Sequence, residues 1–217
     1  GEASPQGAPT SYPASVADRI NYNQGTILID FTPNWDGSDG KSHYLFYSYR
    51  NTNSRVAIVK NGDASGSFQV VVNGTWSSGF ASGITAGTTY RAIITYDAGN
   101  PIRIWLGASL TSTPNETTTS NANSPTSSPS TTIYLGCSGA AQNFVESTVH
   151  RLVIWDIPLD PTDDIASKLS TPNDDPSDVH PEHIIAGFDF TDETAGDVAI
   201  GYQEGDWALA FNGSNQY

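Results

Sequence analysis

The chain has no methionine, a single cysteine and only nine basic residues among its 217. One cysteine, Cys137, forbids an internal disulfide, so stability has to come from packing. Its place in an apolar run suits a small buried hydrophobe better than a reactive thiol. Nine Lys and Arg against 23 Asp and Glu leave a formal net charge of -14, which repels phosphate backbones and anionic lipid headgroups. Nucleic acid is therefore not expected as a partner, and the carboxylates are first of all solubilising. No apolar run reaches the ~20 residues of a membrane-spanning helix, so membrane insertion is not expected either. Residues 1–13 lack the basic and apolar stretches of a signal peptide. With no Met even at position 1, the sequence reads as a mature form, a processed fragment or an expressed piece. Long helical periodicity is missing as well.

What the chain does have is 37% hydrophobic and 11% aromatic residues, enough to build a core and to exclude disorder of the whole chain. Residues 26–32 alternate: Ile27, Ile29 and Phe31 share one side, Leu28, Asp30 and Thr32 the other, which is strand patterning. Pro33 ends the run and a turn-rich loop, Asn34 to Gly40, surrounds Trp35. Further strand-like pieces follow at 44–49, 56–60, 67–72, 75–80, 90–96 and 102–106. Asn61-Gly62, Asn73-Gly74 and the stretch from Asp97 to Pro101 punctuate them as hairpins. Residues 109–132 are almost purely Ser, Thr, Pro and Asn, too polar to bury and too interrupted for a ladder, so an exposed loop is expected. Strand-like alternation returns at 132–136 and 149–157. Asp160 then stands as an N-cap with Pro161 at the first position of a short helix ending near Leu169. Many short strands with regular turns imply an antiparallel sandwich.

Residues 25–46, GTILIDFTPNWDGSDGKSHYLF, and 131–169, containing YLG and RLVIWDIPL before the short helix, resemble the two ends of a laminin-G-like domain. The stretch TYRAIITYDAGNPIRIWLGASL extends the resemblance through the middle. It implies an all-β, concanavalin-A-like fold: an antiparallel two-sheet jelly-roll sandwich with one short helix. Residues 1–24 form an extended N-terminal arm in this reading, and 25–217 a single sandwich. The tail, 183–217, is similar to the opening of such domains. Too short to bury a core of its own, it is expected to complete the same sandwich, with Trp207 in a strand.

The resemblance implies a non-catalytic module for adhesion or carbohydrate binding on an extracellular or virion surface. Its partner would be a glycan or a protein surface. A virion decoration or fibre protein, assembling with like or other subunits through the N-terminal arm, is the alternative. A glycoside hydrolase or polysaccharide lyase of the same fold is the second. Retaining hydrolysis needs two carboxylates about 5 Å apart, commonly on one strand face, and no such alternating acidic pattern is present. An enzyme is accordingly not expected. For a ligand site the candidates are Trp35 and Trp76, which lie beside turns and could stack on a sugar, with Asp36 and Asp39 as hydroxyl acceptors. Trp105, Trp155 and Trp207 lie in strand-like runs and belong to the core. No cofactor is required. Calcium, which related domains hold on one rim, could use Asp36 and Asp39, or Asp174, Asp175 and Asp178. His180, Glu182 and His183 are interrupted by Pro181 and form a loop before they form a zinc site. Asn73, Asn115 and Asn212 stand in N-glycan acceptor triplets.

Overall fold

The computed structural model describes residues 20–63, 66–77, 79–118, 133–136, 147–189 and 198–200. Their strands are β1 (Gln24–Pro33), β2 (His43–Asn51), β3 (Ser54–Lys60), β4 (Ser67–Val72), β5 (Thr75–Trp76), β6 (Phe80–Ala81), β7 (Tyr90–Asp97), β8 (Arg103–Gly107), β9 (Glu116–Thr117), β10 (Ile133–Leu135), β11 (Ser147–Trp155), β12 (Ile184–Asp189) and β13 (Val198–Ile200). All pair antiparallel. One sheet runs β12-β11-β1-β7-β8-β9 with β13 also on β11; the other runs β10-β2-β3-β4-β5 with β6 also on β4. The result is a two-sheet jelly-roll sandwich.

The hairpins follow turn chemistry. Asn73 and Gly74 both have positive φ, 49° and 83°, which is the mirror-image turn that twisted strands prefer, and they join β4 to β5. At the β7–β8 hairpin Gly99 takes φ 81° and the Asn100 N–H closes on the Asp97 carbonyl at 3.1 Å. Asp160 caps the short helix α1 (Pro161–Ala166), its side chain accepting from the N–H groups of Thr162 and Asp163.

Two apolar clusters hold the sandwich together. Between the sheets, Ile27, Ile29, Phe31, Ile94 and Ile104 meet Phe46, Val56, Ile58, Phe68 and Val70, all fully buried. The second cluster lies on the outer face of the β1 sheet. There Leu28, Ile93, Trp105, Val153 and Trp155 are covered by Leu159, Ile165, Leu169 and Val179 from the segment around α1. Trp155 donates its indole N–H to the Val179 carbonyl at 2.7 Å. A buried aromatic removes about 150–250 Å² from water, worth roughly 4–6 kcal/mol, so this back-side core is a substantial part of the fold.

Three expectations need correction. The arm does not extend to residue 24, because Ile20 and Tyr22 belong to the inter-sheet core and Tyr22 accepts from the buried Asn73 carboxamide. Residues 109–132 are not an exposed loop throughout. Leu110 is buried, Glu116 and Thr117 form β9, and buried Thr118 accepts the Ile102 N–H through Oγ1 at 2.9 Å. Residues 75–80 are not one strand but end β5 and begin β6, both pairing with β4. Cys137, the remainder of the arm, residues 119–132 and Trp207 with its surrounding tail lie outside the described residues. Asn73, with its Nδ2 donated to Tyr22 and no exposed surface, is no glycan acceptor. Asn115 is exposed, while Asn212 lies outside the described residues.

Candidate functional site

The loop after β1 brings Trp35, Asp36 and Asp39 to one end of the sandwich, but not as a sugar platform. Trp35 is only 6% exposed. His43 stacks on it with ring centroids 4.1 Å apart and planes within 7°, and its indole N–H donates to Ser147 Oγ at 3.0 Å. The Lys60 ammonium lies 5.8 Å from its ring. A ring covered in this way has no face left for a ligand, so Trp35 is a core residue of the rim. Sequence reasoning missed this because the groups that cover the ring, His43 and Lys60, belong to the next two strands.

Asp39 accepts from the fully buried Lys60 ammonium, from the His43 ring and from the Lys41 backbone N–H. Burial pushes its carboxyl up, but these bonds outweigh it and bring the pKa down to about 2. Asp36 is exposed and accepts the Ala86 N–H at 2.9 Å. A cation already sits on Asp39, so the pair does not fit calcium. Asp174 and Asp175 are also committed, to the Thr171 and Ser177 N–H groups respectively. Among the described residues no group of three His, Cys, Asp or Glu is placed to hold a metal. His180 lies 3.1 Å from Asp164 and His183 2.8 Å from Asp156, and both are a looser 3.8 and 3.9 Å from Glu182.

Trp76, by contrast, is 41% exposed. It lies on the outer face of the β2 sheet, and the register explains what surrounds it. Tyr134 pairs with Tyr47, Tyr47 with Ala57, Ala57 with Val71 and Val71 with Trp76, so one row crosses five strands. Ala57 and Val71 form the middle and are themselves fully buried, while Tyr47 and Trp76 stand three strand spacings apart, about 14 Å. A bulge in β2 adds Tyr44 to the same face: Tyr44 opposes Val59 and Phe46 opposes Ile58, so Leu45 and Phe46 both turn inward and are fully buried. Tyr49, 40% exposed, stacks on Tyr47 with centroids 5.5 Å apart. Arg55 stands between these groups, opposite Tyr49 in the ladder and with its guanidinium carbon 5.5 Å from the Trp76 ring. Burial pushes the Tyr47 phenol above its usual 10.0, against the pull of Arg55, so it stays a neutral donor and acceptor. The tyrosines were visible in the string YLFYSY but not their common face, because the bulge breaks the period of two.

A concavity of about 420 Å³ opens on the other sheet between Asp30, Thr89, Ala108, His150, Arg151, Thr171, Pro172 and Asn173. Its charges are spent on structure. Arg91, fully buried, clasps Asp30 with two 2.7 Å bonds and also donates to the Leu169 and Asp174 carbonyls. Arg151 lies 3.6 Å from Asp30 and donates to the carbonyls of Pro172 and Asp174. Burial pushes the Asp30 carboxyl up, with the Arg91 bonds pulling the other way. Together these groups fasten the segment after α1 to the sheet.

No known protein family and no curated protein matches the sequence. Solved structures do. A heptameric SAP-like pentraxin from Limulus polyphemus is 15% identical with a TM-score of 0.50, over 70% of this chain and 78% of that one. A Bacteroides ovatus protein described as a candidate carbohydrate-binding protein is 11% identical with a TM-score of 0.57, over 86% of this chain and 49% of that one. Tailspike protein 2 of the Escherichia coli O157:H7 bacteriophage CAB120 is 14% identical with a TM-score of 0.51, over 78% of this chain and 24% of that one. The fold is concanavalin-A-like. At these identities the likeness carries the fold alone, and the chain spans about half or less of the last two proteins.

Proposed function

We propose that this chain is a non-catalytic glycan-binding module of an extracellular or virion surface, and that its site is the aromatic outer face of the β2 sheet. The observation that carries this is the row Tyr134–Tyr47–Ala57–Val71–Trp76, with Tyr44, Tyr49 and Arg55 beside it. Sugar rings present flat C–H faces that settle on aromatic π surfaces, while hydroxyl and guanidinium groups at the edges read their oxygens. The exposed part of the face, Trp76 and Tyr49 with Arg55 between them, supplies both, while Ala57 and Val71 in the row are covered and offer no surface of their own. The carbohydrate-binding description of the Bacteroides ovatus relative accords with this reading. Kinship with laminin-G-like domains rests on the sequence segments alone.

The test is a glycan array followed by calorimetry. Trp76→Ala should weaken the best ligand at least tenfold, about 1.4 kcal/mol, while the melting temperature stays nearly fixed because the ring is half in solvent. Trp35→Ala, by comparison, would act on stability. If no glycan is retained and the protein purifies as an ordered assembly, the site proposal fails and the virion structural role replaces it.

A further inference from the structure

We infer that the ligand of this face is an acidic sugar: a glycan residue carrying an oxyanion substituent, gripped by Arg55 while its ring lies on Trp76. The inference rests on the glycan-binding reading above and specifies its chemistry. Acids exceed bases by 14 in this chain, and most of the buried or half-buried cations take acidic partners, Lys60 pairing with Asp39 and Arg91 and Arg151 with Asp30, whereas half-buried Arg103, like Arg55, has no carboxylate partner among the described residues. Even the half-exposed Lys168 pairs with Asp164. Among the described residues no carboxylate pairs with Arg55. Its neighbours are instead Trp76, Tyr47 and Tyr49. Its Nε atom is buried and has no protein acceptor. A donor left without an acceptor is a cost, and a ligand oxygen would remove it where the Trp76 and Tyr49 rings beside Arg55 shift to admit it.

The guanidinium is also the right shape. Its planar fork matches a carboxylate or sulfate with two parallel hydrogen bonds, and stacking on an aromatic ring orients it before the ligand arrives. The overall negative charge of the protein does not oppose this at contact distance, because exposed charges beyond ~8 Å are screened at physiological ionic strength. It does oppose a dense polyanion. The favoured ligand is therefore a largely neutral glycan with isolated acidic residues.

The experiment is an array of matched glycans in neutral, carboxylated (uronate or sialate) and sulfated forms, with affinities then measured for the best acidic hit and its neutral counterpart. Retention of acidic members over their neutral counterparts supports the inference, and the carboxylated and sulfated arms separate the two sources of the oxyanion. Arg55→Gln should weaken the acidic ligand about ten- to a hundredfold, the range of charge-assisted bonds, and the neutral counterpart by at least tenfold less, so that the preference for the acidic form is lost. Arg55→Lys should fall between, whereas Trp76→Ala should weaken both. Equal affinity for neutral and acidic members overturns the acidic-sugar inference and leaves the glycan-binding reading standing. Absence of binding to every member overturns both. If Arg55→Gln lowers the melting temperature, the preference of the unsubstituted protein for acidic over neutral members decides alone.

Discussion

At Asp39 a single carboxylate gathers the Lys60 ammonium, the His43 ring and the Lys41 backbone N–H, and so ties the rim loop to β2 and β3. Its folded pKa of about 2 lies below the ordinary 3.8. A depressed carboxylate stabilises the fold fully above its unfolded pKa, and the contribution fades as pH falls through the folded one. Taken in full the difference would correspond to roughly 2 kcal/mol, but Asp39 is exposed and solvent screens its charge, which leaves about 1 kcal/mol. Asp39→Asn should therefore reduce stability by about that much at neutral pH, and the gap between it and the unsubstituted protein should close between pH ~4 and ~2. Denaturant melts across that range measure it. A gap that persists at the acid end would show that the carboxylate charge is not what matters.

Among the elements, β9 and the bulged β2 show how polar or irregular sequence still becomes structure. Thr118 Oγ1 accepts the Ile102 N–H and Asn115 Oδ1 the Leu106 N–H at 2.7 Å, so side chains complete the edge of β8 at either end of its short backbone pairing with β9. Thr118→Ala should cost about 1–3 kcal/mol, because the buried Ile102 N–H loses its acceptor. Replacing residues 120–131 with a short Gly-Ser linker should cost under about 1 kcal/mol, since loop closure depends weakly on length. Chemical denaturation of the two variants distinguishes them. Equal losses would mean that the polar stretch packs on the body of the protein.

At the scale of the whole molecule, the β1 sheet is buried on both faces, so the inter-sheet core and the back-side core share one set of strands. Arg91 adds a clasp: it holds Asp30 in the sheet and the Leu169 and Asp174 carbonyls beyond it. Against a well-packed apolar substitute such a buried pair offers little net stability, but removing one partner strands the other charge. Arg91→Ala should cost about 3–5 kcal/mol and keep a single unfolding transition, because the two cores cannot separate without breaking β1 and β11. An early, separate transition with loss of amide protection confined to 157–183 would show instead that this segment unfolds alone.

The sequence by itself determined the local features: alternation in β1, the Asn73-Gly74 turn, the Asp160 cap of α1, and the burial of Trp105 and Trp155. These depend on neighbours a few residues away, and on the rule that a large ring amid strand residues finds a core. It also carried Trp76 as a ligand candidate. It could not decide the rest of the site. Period-two alternation tells which residues share a face but not what covers that face, so it set Leu28 and Asp30 opposite Ile27 without showing that the segment around α1 buries them. Trp35 looked exposed for the opposite reason, since His43 and Lys60 close over it from other strands. Strand order set both outcomes, bringing residues 61 and 131 positions apart into contact, as in Asp30 with Arg91 and Thr26 with Ile157. Only the tertiary structure could place Tyr44, Tyr47, Arg55 and Trp76 on one surface, because a row across five strands exists only once their register is set.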